Sequence, residues 1–179
     1  MSSPDSTNEE HYLTQKFARL VMRSNNVDQT SNSQPEATKK LGEILGYYAA
    51  TNSIWEIENA ECIITFNTNV TEEHNIVSLP IKRAIKQGSK LIVIDPREVE
   101  LTRHAQMWLR PRPGTELLVL GAILKIILEE GLEQSQWLKT YCEDITSLRD
   151  GLNQLSIEAI ATETGVAQEL LEDAARCFA

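Results

Sequence analysis

The sequence is poor in the residues that bind metals or form covalent cross-links. Its 179 residues include three cysteines and three histidines. No two cysteines have the short spacing of a zinc or iron–sulfur ligand pair. We therefore expect no disulfide framework, no metal site and no iron–sulfur cluster. The cysteines are Cys62, Cys142 and Cys177.

Positive charge is also scarce, since 17 Lys and Arg are outnumbered by 26 Asp and Glu, which gives a formal net charge of −9. A surface of this sign repels nucleic acids and anionic lipids, so we expect no nucleic-acid partner and no membrane partner. The sequence contains no apolar run long enough to cross a bilayer and no secretory signal pattern. These absences favour a cytoplasmic protein.

What is present is the composition of an ordinary globular domain, with 41% hydrophobic residues. The first residues are small and polar, so we predict a disordered leader over residues 1–10 and one domain over residues 11–179. The three tryptophans fall in patterned segments and are predicted to lie in the core. They are Trp55, Trp108 and Trp137.

Two short runs rich in β-branched residues, 62–66 and 91–94, predict buried parallel strands. About two dozen residues separate them, which is the length of a helical crossover. Pro80 lies in that crossover and predicts a kink or a late helix start. A third strand is predicted at residues 107–109 and a long apolar helix at 116–130. The pattern indicates an α/β protein: a three-layer αβα, doubly wound (Rossmann-like) fold with a mainly parallel sheet and a helical C-terminal part.

Polar residues follow both predicted strands. Asn67, Thr68 and Asn69 come after the first strand, and Asp95 comes after the second. Ligands of doubly wound sheets bind outside the carboxyl ends of the strands, and an acidic residue there can hold a nucleotide ribose. These positions predict a nucleotide site.

Several separated blocks of sequence resemble the catalytic (alpha) subunit of molybdenum- or tungsten-dependent formate dehydrogenases. The blocks are Phe-Ala-Arg at 17–19, Asn-Asn-Val-Asp at 25–28, Thr-Asn-Ser-Ile at 51–54, the segment 91–97, and Arg-Pro-Gly-Thr at 112–115. These enzymes are molybdopterin oxidoreductases that bind a bis(molybdopterin guanine dinucleotide) cofactor. The resemblance implies one αβα domain of a four-domain enzyme.

The resemblance also implies which residues would contact molybdopterin guanine dinucleotide. The loop after the first strand would approach the phosphates, the Asp-Pro-Arg after the second would contact ribose and phosphate, and the last block would meet the guanine edge. The implied cofactor-binding residues are Asn67, Thr68, Asn69, Asp95, Arg97, Gly114, Thr115 and Glu116. Two positions depart from the family pattern, since the family has glycine in place of Asn67 and aspartate in place of Glu116.

A larger departure concerns the metal ligand. The family carries a cysteine or selenocysteine and then a histidine where this chain has Thr-Ser-Asn-Ser-Gln at 30–34, with Ser33 and Gln34 nearest those positions. A neutral serine is a poor ligand for a soft metal, and a glutamine does not exchange a proton near neutral pH. We therefore predict no catalytic residue in this chain and no turnover by the chain alone.

Some alternatives stay open. Arg97 and Arg112 could clamp phosphates or pair with surface carboxylates. For the whole chain, one hypothesis is a degenerate binding or interaction module that docks on another protein subunit or on itself. A second is one domain of an active formate dehydrogenase, split or truncated, that binds the full cofactor. A third is a carrier that holds the dinucleotide for transfer.

Overall fold

The computed structural model describes residues 6–27, 35–46, 50–142 and 144–179. The predicted leader over residues 1–10 lies partly outside the described residues, and both Ser33 and Gln34 lie outside them. The chain divides into two compact units, residues 1–51 and Asn52–Ala179. The sequence-based boundaries at residues 10 and 11 stay a prediction.

The first unit is helical where it is described. Helix α1 (Asn8–Lys16) continues into a π-helical turn (Phe17–Val21), and α2 spans Pro35–Leu45. Thr7 begins α1 with a capping box: its Oγ1 accepts the N–H of Glu10 at 3.3 Å, and Glu10 Oε2 accepts the N–H of Thr7 at 2.8 Å. This reciprocal pairing satisfies backbone donors that a helix start otherwise leaves without partners.

The second unit is built on a parallel sheet. Its strands are β1 (Cys62–Phe66), β2 (Lys90–Ile94) and β3 (Met107–Leu109), in the order β1-β2-β3. The register pairs Ile64 with Ile92, and Ile92 with Met107. All three predicted strands are therefore confirmed. A 3-10 helix at Ile54–Asn59 leads into β1, and another at Glu100–His104 connects β2 to β3.

The crossover from β1 to β2 contains two helices, α3 (Val70–Glu73) and α4 (Asn75–Lys86). The break between them lies at His74, whose φ of −141° and ψ of 59° are not helical. Pro80 lies inside α4, so the interruption occurs six residues before the proline that predicted it. After α4, Gly88 takes a φ of +106°, a conformation that favours glycine.

The C-terminal part is helical, as predicted. It contains α5 (Glu116–Glu129), α6 (Ser135–Tyr141), α7 (Thr146–Asn153), α8 (Ile157–Thr164) and α9 (Gln168–Phe178). Ser156 Oγ accepts the N–H of Ala159 at 3.3 Å at the start of α8, and Gly165 ends that helix with a φ of +75°.

The sheet has an apolar layer on each face. Successive side chains of a strand point to opposite faces. Leu91 and Val93 pack with Ile81 of α4 on one face, while Ile92 and Ile94 pack on the other with residues of α5, α8 and α9. The predicted three-layer arrangement around a parallel sheet is confirmed. The finer description as Rossmann-like stays a prediction.

The three tryptophans were predicted to lie in the core, and they differ in exposure. Trp108 is half-buried, but Trp55 is 58% exposed and Trp137 is 53% exposed, so the prediction that these two lie in the core is wrong. Both belong to short helices, where periodicity is a weak guide to the buried side. Among the described residues, no helix combines the length and the apolar character needed to span a membrane.

Candidate functional site

The predicted site residues of the second unit follow the carboxyl ends of three parallel strands. Because these strands run in one direction, their carboxyl ends lie along one edge of the sheet. Backbone bonds join the ends directly: Asn67 donates its N–H to the Ile94 carbonyl at 2.8 Å, and Asp95 donates its N–H to the Leu109 carbonyl at 3.3 Å. The loops after β1 and β2 are therefore neighbours.

Asp95 is the most unusual polar residue of this edge. Its side chain is 1% exposed, and its Oδ1 accepts the N–H of Arg97 at 2.8 Å, which closes a tight turn over residues 95–97. Its Oδ2 is buried and has no hydrogen-bond partner among the described residues. A buried acceptor without a partner costs about 1–3 kcal/mol. The carboxylate thus keeps one acceptor unused within the protein.

The turn is supported from β3. Trp108 donates its indole N–H to the Asp95 carbonyl at 2.9 Å, and Arg110 Nε donates to the Pro96 carbonyl at 3.0 Å. The guanidinium of Arg110 lies 5.3 Å from the centroid of the Trp108 ring, within the range of a cation–π contact. Sequence reasoning missed this role for both residues. Their spacing of two places them on one side of an extended chain next to β2, which is the signal that points to it.

Arg97 is an exposed cation beside Asp95. Its side chain is 65% exposed, and its Nε lies 3.7 Å from Asp95 Oδ1. At 3.7 Å the guanidinium makes no hydrogen bond to the buried carboxylate. Its guanidinium is therefore available to an anionic ligand.

The loop after β1 keeps its backbone shape despite the missing glycine. Asn67 takes a φ of +45°, in the left-handed region that glycine and asparagine tolerate best. Thr68 Oγ1 donates to Glu73 Oε2 at 3.4 Å, and Asn69 Oδ1 accepts from Thr71 Oγ1 at 2.9 Å. Only Asn67 of the three predicted contacts is exposed, while the side chains of the other two are bonded locally.

The loop after β3 contributes the remaining predicted residues. Gly114 has a φ of +89°, and a Cβ built there meets no atom within 4 Å, so its backbone is open to approach. Thr115 Oγ1 donates to the Arg112 carbonyl at 2.7 Å rather than capping α5. Glu116 is half-buried, and within the described residues its carboxylate has no hydrogen bond or ion pair.

Arg112 has a structural role at the end of α8. Its Nη1 donates to the carbonyls of Thr162 and Glu163 at 3.0 and 2.9 Å, and its own N–H bonds the Thr164 carbonyl at 2.8 Å. A cation that bonds the last carbonyls of a helix complements its dipole. Among the described residues no carboxylate pairs with Arg112, and a phosphate contact of this side chain stays a prediction.

The arrangement brings together two carboxylates that can accept hydrogen bonds and the exposed guanidinium of Arg97. An unpaired carboxylate oxygen at Asp95 suits a hydroxyl donor, the Arg97 guanidinium suits a phosphate, and the Glu116 carboxylate suits a pair of N–H donors. In the part of the chain that the structure describes, no three His, Cys, Asp or Glu residues cluster as metal ligands. The edge is therefore equipped for binding a nucleotide-like ligand.

Comparison with known proteins shows the family to which the chain belongs. The sequence profile described as Molybdopterin oxidoreductase matches residues 1–166. The alpha subunit of F420-dependent formate dehydrogenase 1 of Methanococcus maripaludis is 37% identical over 178 residues, which cover 99% of this chain and 26% of that subunit. The corresponding subunit of Methanocaldococcus jannaschii is 33% identical over the same shares, 99% and 26%. A putative formate dehydrogenase of Staphylococcus aureus is 34% identical over 99% of this chain and 18% of the relative.

A solved structure supports the fold. Acetylene hydratase from Pelobacter acetylenicus matches with a TM-score of 0.63 over 83% of this chain and 20% of that protein, at 21% sequence identity. At that identity, the match shows the fold alone. This chain spans about a quarter of the length of the methanogen subunits that it matches.

Proposed function

The chain belongs to the molybdopterin oxidoreductase family, and from that premise we propose that it binds the guanine nucleotide end of a molybdopterin guanine dinucleotide without performing turnover by itself. It is a formate dehydrogenase alpha-subunit-like domain. The observation that carries the proposal is the buried, unpartnered Oδ2 of Asp95. We infer that this domain acts as a binding module in a larger, cytoplasmic assembly.

The ribose contact is the first step of the argument. The N–H of Arg97 orients the Asp95 carboxylate by bonding its Oδ1. The indole N–H of Trp108 bonds the backbone carbonyl of Asp95 and so fixes the turn. A sugar hydroxyl that donates to Oδ2 would remove the cost of the unpaired acceptor, so ligand binding and the local stability of the turn reinforce each other. Arg97 is the exposed side chain next to the carboxylate, and we infer that it moves aside to admit the sugar.

The phosphate and base contacts follow from the neighbouring loops. Arg97 would pair with a phosphate after moving, and the exposed Asn67 backbone keeps the left-handed shape with which a glycine would approach it. Glu116 would accept the N–H donors of the guanine edge. It is one methylene longer than the aspartate of the family pattern, and the net charge of −9 opposes an anionic ligand at long range, so we expect weak binding.

The residues present fit the nucleotide part of the cofactor better than its metal part. When bound, the cofactor supplies a molybdenum or tungsten redox centre. Ser33 and Gln34 stand nearest the positions of the family's metal ligand and its histidine, and they lie outside the described residues. Their chemistry supplies neither a soft ligand nor an exchangeable proton. This is the basis for proposing a domain that binds but does not turn over.

A titration of ¹⁵N-labelled chain with GDP tests the binding site. We expect the amide signals of residues 67–69, of Asp95 and Arg97, and of residues 114–116 to shift, while those of residues 87–90, at the amino end of β2, stay in place. ADP is the control for the base, and its effect at residues 114–116 should be smaller. Shifts confined to other segments, or none at saturating GDP, would refute the proposed site.

An assay of formate oxidation with a viologen dye tests the second half of the proposal. We expect no dye reduction by the purified chain after incubation with a source of molybdenum cofactor. The alternative is one domain of an active formate dehydrogenase, split or truncated, and the match over 99% of this chain favours it. Dye reduction that follows the amount of bound metal would establish that alternative.

A further inference from the structure

Two of the three cysteines meet where helix α9 packs on strand β1. Cys62 is the first residue of β1, and Cys177 lies in the last turn of α9. Helix α9 contacts β1, and both cysteine side chains pack against the same apolar cluster. The two residues are far apart in the sequence, so no cysteine spacing predicts that they meet.

The geometry of each element turns its cysteine toward the other element. Alternate side chains of a strand share one face, and Cys62, Ile64 and Phe66 all pack on the cluster that α9 helps to form. Residues three or four apart share one face of a helix. Cys177 lies one turn after Ala174, which is fully buried in that cluster. The face of β1 and the face of α9 that pack together therefore each carry a cysteine.

The contact includes the thiol groups themselves. The Cys177 thiol shares a hydrogen bond with Cys62 and interacts with it electrostatically. Burial first, and then the neighbouring Cys177 thiol, raise the pKa of Cys62 to about 11 against an opposing effect of Lys90. Both cysteines are free and half-buried. The two thiols thus contact each other and stay within reach of a small reagent.

We propose that Cys62 and Cys177 form a reversible disulfide, which ties the start of β1 to the end of α9, when the chain meets a small-molecule disulfide. A disulfide requires Cβ atoms about 3.5–4.5 Å apart on side chains that point toward each other. Side chains whose thiols already share a hydrogen bond point toward each other in this way. Cys142, at the end of α6, lies outside the cluster against which this pair packs.

The exchange balances in two steps. The Cys177 thiolate attacks one sulfur of the small disulfide, which forms a mixed disulfide and releases the other half as a thiol. The Cys62 thiolate then attacks the Cys177 sulfur and releases the second half. The two cysteines lose two electrons, the small disulfide gains them, and the two protons leave on the released thiols. Because its raised pKa keeps Cys62 protonated near neutral pH, we expect closure over minutes to hours.

Incubation of the chain with glutathione disulfide tests the proposal. Alkylation under denaturing conditions counts the remaining thiols, and peptide mapping by mass spectrometry identifies the joined pair. We expect a Cys62–Cys177 disulfide, with Cys142 still open to alkylation. We also expect a rise in Tm of about 5–15 °C, because the bond closes a long loop of the unfolded chain. Dithiothreitol should reverse both changes.

Three variants distinguish this pair from the remaining cysteine. Cys62→Ser and Cys177→Ser should each lose the rise in Tm, whereas the control Cys142→Ser should keep it. Serine places a hydroxyl in a half-buried position, so Cys62→Ala and Cys177→Ala replace these variants if they fail to fold. The peptide map of the original chain needs no variant.

The proposal is overturned if the original chain forms no internal disulfide, if the bond includes Cys142, or if it joins two chains. Glutathione adducts on Cys62 and Cys177 without a bond between them would also overturn it. None of these results depends on GDP binding, because the pair involves the amino end of β1 and the nucleotide residues follow the carboxyl ends of the strands. Failure of the nucleotide site is therefore distinguishable from failure of the disulfide.

Discussion

Two aspartates of the second unit form the same local turn in different surroundings. Asp95 accepts the N–H of Arg97 at 2.8 Å, and Asp144 accepts the N–H of Thr146 at 2.7 Å. Asp144 is exposed and lies two residues before the first residue of helix α7, and hydrogen bonds from the Thr146 side chain and backbone lower its pKa. Asp95 is buried at the strand ends, and one of its oxygens has no partner within the described residues.

This difference is the basis on which we propose a binding site at Asp95 and a structural turn at Asp144. The Asp144 carboxylate accepts the first N–H of α7, and such a local side-chain to backbone bond is an ordinary role for aspartate. At Asp95 the chain adds support from Trp108 and Arg110 and still leaves a buried acceptor unused. Buried polar atoms are nearly always paired, so the exception at Asp95 supports the site proposed there.

Removing the support from β3 should produce the largest change in stability. Trp108→Phe keeps the ring but leaves the buried Asp95 carbonyl without its indole donor, so we expect a loss of about 1–3 kcal/mol in the free energy of unfolding. Trp137→Phe is the control, because that side chain is 53% exposed and should change stability by less than about 0.5 kcal/mol. Urea denaturation measures the free energy of unfolding of both variants. Equal losses would show that the Asp95 turn does not depend on the indole donor.

The left-handed residue after β1 should give the next largest effect. Asn67→Ala places alanine at a φ of +45°, which should cost about 1 kcal/mol. Asn67→Gly restores the residue of the family pattern and should be close to neutral. Thermal unfolding of the two variants distinguishes them. If alanine is tolerated as well as glycine, the loop conformation does not constrain this position.

Arg97 should affect binding more than stability. Arg97→Gln should leave the free energy of unfolding within about 0.5 kcal/mol of the original because the side chain is exposed. It should weaken GDP binding by roughly three- to ten-fold through the lost phosphate contact. Arg103→Gln removes another exposed arginine, 3.9 Å from Glu98, and should change neither quantity. If Arg97→Gln lowered the free energy of unfolding more than the free energy of GDP binding, Arg97 would have a structural role instead.

The smallest expected effect is the pH dependence of Asp144. Its pKa is lowered in the folded chain by the bonds from Thr146, so its contribution to stability is complete above the pKa of an unfolded aspartate. That contribution is lost as the pH falls through the folded value. Asp144→Asn should therefore flatten the acid limb of the curve of stability against pH. An unchanged acid limb would show that the turn does not couple to protonation.

Local sequence signals predicted the central part of the fold. Three uninterrupted runs identify their elements: the β-branched runs of β1 and β2, and the apolar run of α5. A kink or a late helix start was predicted for the crossover, but its position at His74 was not, because no breaker residue marks it. Pro80 was the visible breaker, yet it is accommodated inside α4.

The candidate site was predictable where it follows strand ends and not where it depends on distant residues. Asn67 and Asp95 were placed at one edge by topology alone, and their loops are joined there through Ile94 and Leu109. The use of Arg112 to close α8, some 50 residues further along the chain, has no local signal. The unpaired state of Asp95 Oδ2 likewise emerges only from the packing of the whole edge.

The most direct test of the central claim is calorimetric titration of GDP into the original chain, Asp95→Asn and Asp144→Asn. Asparagine keeps an acceptor for the turn at both sites, but at Asp95 it replaces the unused carboxylate oxygen with an amide. We expect weak binding to the original chain, a ten- to hundred-fold loss in Asp95→Asn from the missing charged contact, about 1.5–3 kcal/mol, and no loss in Asp144→Asn. Equal affinity in all three proteins would contradict a nucleotide site at Asp95.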